Sequence, residues 1–227
     1  MDIVISGYGK MGKVIEEFLI KRNHKLINTF DNEDDYKSVS PVNAVCIDFS
    51  IPEAFRKNYK TIAENFSGAV VGTTGWGDIE NDVTDYFGKK NKNLVYASNF
   101  SLGVNIYFQA LDFMSGLISK HADYDPFIIE LHHNEKKDAP SGTAKSIQQI
   151  LKKNFGRDID AASIRSGFIK GIHETGFESE YDKITFRHEA YSRKGFALGA
   201  VIAAEWLSET GGVWKLGELL KSKLKEK

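Results

Sequence analysis

Apolar and polar positions follow two patterns along the first hundred residues: short apolar runs, and apolar residues at helical spacing. Short apolar runs typical of strands occupy residues 3–5, 26–30, 44–49, 70–71 and 94–97. Between the first two runs, apolar side chains recur at helical spacing, namely Met11, Val14, Ile15, Phe18 and Leu19. A further helix is predicted from Pro52 to about Phe66, with Ser50 as a candidate cap. Strands alternating with helices predict an α/β domain whose parallel strands are joined by right-handed crossovers.

The pattern of apolar and polar positions changes after residue 99. Helical periodicity predicts helices over about 104–121, 141–153 and 196–207, and a strand is predicted over 127–131. Residues 163–190 alternate in polarity and are rich in β-branched and aromatic side chains, which predicts antiparallel strands. Earlier in the chain, the polar stretch 32–42 is predicted to be a loop.

Composition narrows the class of protein. The 227 residues carry a formal net charge of -1, with 41% hydrophobic and 27% charged side chains. This balance is typical of a globular protein and provides no field that favours nucleic acid or a membrane surface. The sequence shows neither a signal-type segment nor an apolar stretch long enough to span a bilayer, so we expect a cytoplasmic protein. The single cysteine, Cys46, lies in an apolar run and is predicted to be a buried thiol rather than a nucleophile.

A glycine-rich turn follows the first predicted strand. It has the pattern G-x-G-x-x-G and consists of Gly7, Tyr8, Gly9, Lys10, Met11 and Gly12. A helix follows the turn, and Asp31 lies at the end of the next predicted strand, where a carboxylate can bind the adenosine ribose. This context favours a dinucleotide site over a glycine turn that binds nothing. Because Asn32, rather than a basic residue, follows Asp31, we expect NADH to be used at least as well as NADPH.

Two more segments follow predicted strands and are expected to face the same cofactor. They comprise Gly72, Thr73 and Thr74, and then Ala97, Ser98, Asn99 and Phe100. In an open parallel sheet, loops at the carboxyl ends of the strands line the ligand crevice. Asn99 could hold the nicotinamide amide and Phe100 could pack near the ring. The alternative is that these residues form ordinary polar turns.

The segment from Glu130 to Ala144 contains several side chains that could act in catalysis or in ligand binding. His132 and His133 supply imidazoles that titrate near neutral pH, and Lys136 supplies a positive charge. Gly142 and Thr143 begin the next predicted helix, where backbone N–H groups can bind a carboxylate. These groups suit a small anion that needs both charge neutralisation and a proton. A simple polar loop or a paired-histidine metal site are the alternatives, but the ligand spacing of a standard zinc site is missing, so no metal is expected.

This segment closely resembles the E-x-H-H-x-x-K-x-D-A-P-S-G-T-A signature of the dihydrodipicolinate reductase family, also called 4-hydroxy-tetrahydrodipicolinate reductases. Further matches occur in the family's order at the glycine turn and at residues 48–50, 72–75, 99–105, 164–167, 171–174 and 188–193. The resemblance covers nearly the whole chain. The chain is shorter than the family norm between Asp31 and Asp48, and Asn32 replaces the usual basic residue; both departures bear on cofactor preference and leave the reaction class unchanged.

The resemblance implies an NAD(P)H-dependent reduction of 4-hydroxy-tetrahydrodipicolinate in lysine and diaminopimelate biosynthesis. It implies that His132 is the proton donor and Lys136 its partner, and that His133, Gly142 and Thr143 bind the dicarboxylate. It also implies a Rossmann-like dinucleotide-binding domain of residues 1–101 and 194–227. The implied second domain, residues 102–193, binds substrate and forms a homotetramer through a mixed sheet.

Two other functions remain open at the level of sequence. An amino-acid dehydrogenase of the aspartate type would share the glycine turn, but it would not require the loop of histidines and lysine. A nucleotide-sensing protein with a dead active site would share the fold, but the intact His132 and Lys136 argue against it. A semialdehyde dehydrogenase needs a thiolate, which Cys46 in a core strand is not expected to provide.

Overall fold

A computed structural model describes residues 1–32, 35–36, 39–121 and 123–225, without the side chains of residues 121, 224 and 225. The chain forms two compact units. Unit 1 comprises Met1–Ser101 and Lys194–Lys227, and unit 2 comprises Leu102–Arg193. None of the helices described is long and apolar enough to cross a membrane.

Unit 1 is built on a six-stranded parallel sheet. Its strands are β1 (Asp2–Ser6), β2 (Lys25–Phe30), β3 (Val45–Asp48), β4 (Gly68–Val71), β5 (Asn93–Tyr96) and β10 (Val213–Lys215). They lie in the order β10-β5-β4-β3-β1-β2, with every neighbouring pair parallel. All residues of β3 and β4 are buried, because a parallel sheet is covered on both faces.

Helices cover the two faces of this sheet. They are α1 (Lys10–Lys21), α2 (Pro52–Asn65), α3 (Glu80–Lys89), α6 (Lys194–Thr210) and α7 (Leu216–Lys225), with a short 3₁₀ helix at Gly77–Ile79. Ile15 of α1 packs with Ala200 of α6 in one core cluster, and Phe55 of α2 packs with Phe87 of α3 in the other. The result is a three-layer α/β/α unit.

Unit 2 has a mixed four-stranded sheet and two helices. The elements are α4 (Leu102–His121), β6 (Asp125–His132), α5 (Gly142–Phe155), β7 (Ala161–Arg165), β8 (Ile172–Glu178) and β9 (Lys183–Glu189). The strand order is β7-β6-β8-β9; β7 runs parallel to β6, and the other pairs are antiparallel. One face of the sheet packs against the helices, with Ile128 of β6, Leu111 of α4 and Ile147 of α5 in one core cluster.

The predicted α/β class and the predicted strands and helices are confirmed, with four differences. Strand β10 and helix α3 were not predicted; β10 has three residues, and α3 is a short helix of ten residues in which Val83 and Phe87 are buried. Strand β7 is parallel to β6, so the prediction of antiparallel strands throughout 163–190 is wrong. The parallel pairing is possible because α5 provides the crossover from β6 to β7.

The other two differences concern polar segments. Ser50 does not cap α2, whose preceding residue is Ile51; its hydroxyl bonds to Asp48 instead. In the predicted loop 32–42, Asp35 and Tyr36 are helical and the Tyr36 side chain is buried in the core, which a simple loop prediction misses. Residues 33, 34, 37 and 38 of that prediction lie outside the described residues.

Candidate functional sites of the two units

The glycine turn of unit 1 connects β1 to α1. Gly7 has a φ of +83°, and a Cβ there would lie 2.5 Å from the carbonyl oxygen of Phe49, so only glycine fits. A Cβ on Gly12 would lie 2.7 Å from the carbonyl oxygen of Gly7, which shows how closely α1 approaches the strand. At Gly9 a Cβ would meet nothing within 4 Å, so this residue leaves open space. The turn is therefore tight at its first and third glycines and open at its second.

Helix α1 begins immediately after this open position. Gly9 precedes the helix and offers no side chain to cap the first turn. The N–H groups at a helix start carry a partial positive charge and bind anions such as phosphate. The turn therefore has the geometry of a pyrophosphate cradle.

Asp31 follows β2 and lies beside the turn. Its Oδ1 accepts a hydrogen bond of 2.6 Å from the backbone N–H of Tyr8. Asp31 and Asn32 line a cavity of about 480 Å³ together with Gly7 and Gly9. The carboxylate thus lies where the sequence placed it relative to the glycine turn.

Sequence reasoning missed the other wall of this cavity. Helix α2 contributes Glu53 and Lys57, and the segment before it contributes Ser50 and Ile51. Lys57 brings a positive charge to the cavity that also holds Asp31. No local motif marks these residues, because only the crossover from β3 to α2 brings them beside β2.

A buried carboxylate, Asp48, joins three strand ends of unit 1. It is fully buried and accepts hydrogen bonds from Ser6 at the end of β1, Ser50 after β3 and Thr73 after β4. Burial raises the pKa of Asp48 above its usual value, and the hydrogen bonds that Asp48 accepts offset only part of this rise. The Thr73 hydroxyl is therefore engaged in the protein, whereas Thr74 is exposed.

The segment after β5 lies partly in the core. Phe100 is 1% exposed and packs against Phe49, with their ring centroids 5.8 Å apart. The apolar ring of Phe100 therefore fills the core, and its packing near a nicotinamide stays a prediction. Asn99 accepts a hydrogen bond of 2.9 Å from the N–H of Ser101, and Ser98 is exposed.

In unit 2, His132 ends β6 and begins the loop that leads to α5. Its side chain is largely buried, at 7% exposure for the residue. Gly171 lies directly against it: a Cβ there would be 3.1 Å from His132 Nε2, and its φ of +147° favours glycine. Gly171 therefore keeps the space beside Nε2 free.

The loop carries Lys136 and ends at α5. Lys136 Nζ donates a hydrogen bond of 2.7 Å to Asp138 Oδ1, and its backbone N–H bonds to the carbonyl of His133. Gly142 and Thr143 occupy the first turn of α5, which Ser141 caps by accepting from the N–H of Ala144. Unit 2 thus brings the predicted catalytic and substrate-binding residues onto one strand end, one loop and one helix start.

Beneath the loop lies Glu130, which is fully buried. Its Oε1 accepts three hydrogen bonds, from the Ser141 N–H at 3.0 Å, from Ser163 Oγ at 2.7 Å and from Arg165 Nη2 at 2.8 Å. Its Oε2 lies 3.2 Å from His132 Nδ1 and 3.7 Å from His173 Nε2. Arg165 and His173 were not among the predicted site residues, and Glu130 entered only as part of the motif.

The charge states of this cluster follow from burial and hydrogen bonding. Burial raises the pKa of Glu130, but the hydrogen bonds from Ser141, Arg165 and Ser163 have the larger combined effect and lower the pKa to about 2. Burial lowers the pKa of His132 below its usual 6.5, and burial together with neighbouring charges lowers the pKa of His173 to about 4. At neutral pH the cluster therefore contains a carboxylate and two neutral imidazoles.

Glu130, His132 and His173 also have the composition of a metal site. One ligand atom from each lies within 4.8 Å of the others, and two imidazoles with a carboxylate can bind zinc. The Arg165 guanidinium bonds to the same carboxylate and opposes a second cation there. The expectation of no metal stays a prediction.

Comparisons with known proteins cover both units. A family model described as "Dihydrodipicolinate reductase, N-terminus" matches residues 1–100, and one described as "Dihydrodipicolinate reductase, C-terminus" matches residues 103–220. A 4-hydroxy-tetrahydrodipicolinate reductase of Christiangramia forsetii is 38% identical over 238 residues, which cover 99% of this chain and 100% of that protein. Another, of Thermosipho africanus, is 34% identical over 96% of both chains.

A solved structure shares the fold. The dipicolinate-bound dihydrodipicolinate reductase from Paenisporosarcina sp. TG-14 aligns with a TM-score of 0.80 at 20% identity, over 95% of this chain and 97% of that chain. Similarity at this level of identity speaks for the architecture of the chain.

Proposed function

The chain belongs to the dihydrodipicolinate reductase family, and from that premise we propose how its two units reduce 4-hydroxy-tetrahydrodipicolinate with NAD(P)H. Unit 1 binds the dinucleotide, and unit 2 binds the dicarboxylate and supplies the proton. The products are tetrahydrodipicolinate, an intermediate of lysine and diaminopimelate biosynthesis, the oxidised dinucleotide, and the water formed as the 4-hydroxyl of the substrate leaves. The observation that carries the division of labour is His132, a buried imidazole whose Nε2 faces space kept free by Gly171.

The glycine turn of unit 1 fits a pyrophosphate. The open space at Gly9 and the uncapped start of α1 supply room and N–H donors, and Asp31 supplies an acceptor for ribose hydroxyls. Thr74, Ala97, Ser98 and Asn99 extend the cofactor surface, and Gly72, Thr73 and Phe100 support it from within. The reduced nicotinamide, when bound, is the source of the hydride.

Charge in the adenosine end of the site supports NADH as a cofactor at least as good as NADPH. Asp31 and Glu53 repel a 2′-phosphate, and Lys57 attracts one. Two carboxylates outweigh one ammonium, so we expect kcat/KM for NADH to equal or exceed that for NADPH. A strong preference for NADPH in the same assay would overturn this proposal.

A matched pair of variants isolates the charge that decides this preference. Lys57→Met should lower kcat/KM for NADPH and leave that for NADH within about twofold. Asp31→Asn should improve NADPH relative to NADH. If neither variant changes the ratio of the two kcat/KM values, the cavity beside Asp31 does not hold the adenosine ribose.

Unit 2 provides positive and hydrogen-bonding groups for a dicarboxylate. Lys136 supplies the charge, His133 lies next to His132, and Gly142 and Thr143 present the start of α5. The substrate is doubly negative, and its carboxylates favour the charged form of a nearby imidazole. Substrate binding therefore raises the pKa of His132 and prepares the ring to act as an acid.

His132 then donates the proton that must follow hydride addition. In the free protein the ring is mostly neutral at pH 7, because burial lowers its pKa. The ring must take up a proton before or with the substrate, and Lys136 supports this step by holding the substrate charge. General acid assistance of this kind contributes ~10²–10⁴-fold to the rate.

The reaction is tested by following NADH oxidation optically with substrate generated in situ from pyruvate and aspartate semialdehyde. We expect turnover that depends on both precursors and on the coupling enzyme, and that is inhibited by dipicolinate, a planar dicarboxylate. Reduction of NAD⁺ by aspartate instead would favour the amino-acid dehydrogenase alternative, and binding of NADH without turnover would favour the dead nucleotide sensor. The family match does not favour either alternative.

We also propose a cytoplasmic homotetramer, in keeping with the single buried Cys46. The face of the unit 2 sheet that points away from α4 and α5 carries an apolar row. Strand register places Ile164, Leu131 and Ile172 side by side across β7, β6 and β8. Ile164 is 45% exposed, which is unusual for a large apolar side chain on a sheet and supports its burial by a second copy.

A further inference from the structure

We propose that Glu130 is the positioning residue of unit 2, which orients the His132 ring and fixes the loop that carries Lys136. The inference rests on the proposed function, because it assigns a task to Glu130 in that reaction. Glu130 does not reach the space beside Nε2; it acts through other residues.

The first step is the placement of the carboxylate. Glu130 lies two residues before His132 on β6, so both side chains are on the same face of the strand. Its side chain has no exposed surface, and a buried carboxylate is tolerated only when its oxygens are compensated. Three donors to Oε1 provide that compensation: Ser141 just before α5, and Ser163 and Arg165 of β7.

The second step concerns the loop between His132 and Ser141. The Ser141 N–H bonds directly to Glu130, which fixes the end of the loop and the start of α5. Arg165 bonds to Glu130 with the same nitrogen that donates to the carbonyl of Asp138, at 2.5 Å. Asp138 in turn pairs with Lys136. A chain of contacts therefore runs from Glu130 through Arg165 and Asp138 to the Lys136 ammonium.

The third step concerns the ring of His132. Glu130 Oε2 lies 3.2 Å from Nδ1, although the angle does not make a hydrogen bond, and neither atom has a hydrogen-bond partner within the described part of the chain. A carboxylate this close favours the proton on Nδ1. Nε2 is then the atom that exchanges a proton on the side of Gly171. Substrate-induced charging of the ring strengthens its attraction to Glu130.

The fourth step is the balance of charge at the ring. The groups that act on His132 come from every neighbouring element: Glu130 on β6, Lys136 and Asp138 on the loop, Arg165 on β7 and His173 on β8. Glu130 and Asp138 favour the imidazolium, and Lys136 and Arg165 oppose it. Removing the charge of Glu130 therefore lowers the pKa of His132, and removing that of Arg165 raises it.

These opposite shifts separate positioning from simple structural support. Glu130→Gln should lower kcat at least about 10-fold, since a misplaced acid loses much of a ~10²–10⁴-fold contribution. The limb of kcat/KM that falls with rising pH should move to lower pH by about one unit, in line with the usual effect of a nearby opposite charge. Arg165→Met should move the same limb to higher pH. Glu130→Asp keeps the negative charge but shortens the side chain. The pH position of this limb should therefore be closer to that of the wild type than kcat is.

The controls are chosen on the same sheet. Glu174→Gln removes a carboxylate from the neighbouring strand, where Glu174 pairs with Arg187 3.4 Å away, and it should change neither rate nor limb. NADH binding, followed by fluorescence, should be unchanged in all variants, because unit 1 is untouched. Arg165→Met keeps the test valid if Glu130→Gln does not fold, since the Ser141 and Ser163 bonds to Glu130 remain.

Two results overturn the proposal: a kcat for Glu130→Gln within threefold of the wild type, or a limb that does not move in opposite directions for the two variants. A loss of thermal stability with an unmoved limb is one form of the second result, and it is what a purely structural residue would give. Failure of the proposed function is distinguishable, because the wild-type protein itself would then show no substrate-dependent NADH oxidation.

Discussion

At the scale of single residues, the imidazole of His132 combines two opposed conditions. Burial keeps it neutral in the free protein, and the substrate must charge it. The ring is also confined, because Gly171 lies against Nε2 and His173 lies 5.1 Å away between ring centroids. Small changes at this position should therefore alter rate more than affinity.

Replacing His132 by Gln should lower kcat by ~10²–10⁴-fold and change KM little, because the group acts as an acid and contributes little to binding. Lys136→Ala should lower kcat and raise KM together, because the ammonium also binds the substrate. Steady-state kinetics with circular dichroism as the folding control distinguish these outcomes. A well-folded His132→Gln protein with near-normal kcat would show that another group donates the proton.

Gly171→Ala tests the free space beside Nε2. The new Cβ would lie 3.1 Å from that nitrogen, and the φ of +147° is unfavourable for alanine. We expect kcat to fall at least about 10-fold, because the alanine methyl crowds the ring from the side on which it exchanges a proton. Gly88→Ala, on α3 and outside the site, meets nothing within 4 Å and serves as the control for a glycine-to-alanine change. Normal kcat in Gly171→Ala would place the proton transfer on another side of the ring.

At the scale of elements, strand β8 makes the stability of unit 2 depend on pH through His173. The pKa of His173 is about 4 in the folded protein, against about 6.5 in an unfolded chain. Below pH 6.5 the unfolded chain therefore gains a proton that the folded protein takes up only near pH 4. Stability contributed by the neutral His173 is complete above pH 6.5 and is lost as the pH falls towards 4.

His173→Gln should reduce this pH dependence. Between pH 7 and pH 5 the wild type should lose about 2 kcal/mol through this group, since a proton difference corresponds to about 1.4 kcal/mol per pH unit. The measurement is urea unfolding of both proteins at the two pH values, with His133→Gln as the control histidine. An equal loss in wild type and His173→Gln would assign the acid sensitivity to other groups, such as His188, whose pKa burial also lowers.

At the scale of the whole molecule, the apolar row on the outer face of the unit 2 sheet is the proposed contact between copies. Ile164→Glu places a charge in this row and should convert the tetramer into smaller species. Size-exclusion chromatography with light scattering measures the mass directly. Phe113→Glu, on an exposed position of α4, is the matched control for a charge introduced elsewhere. A tetramer that persists in Ile164→Glu would place the interface on another surface.

Several features of the molecule follow from local sequence pattern alone. The repeating strands and helices, the buried Cys46 and the tight glycines at 7 and 12 follow from local pattern, and the structure has them. These features depend on neighbours in sequence, such as the apolar period of a helix or the φ of a turn. The class of fold was accessible for the same reason.

The partners of the buried carboxylates were decided only by tertiary structure. Asp48 gathers hydroxyls from three strand ends, and Glu130 gathers donors from β7 and α5 across 11 to 35 positions of sequence. No periodicity encodes such pairs, because they depend on which strands become neighbours. The parallel pairing of β7 and the burial of Phe100 have the same origin. Sequence therefore determined which chemical groups are present, and strand order determined which of them meet, because hydrogen bonds and burial act over ångströms and ignore distance along the chain.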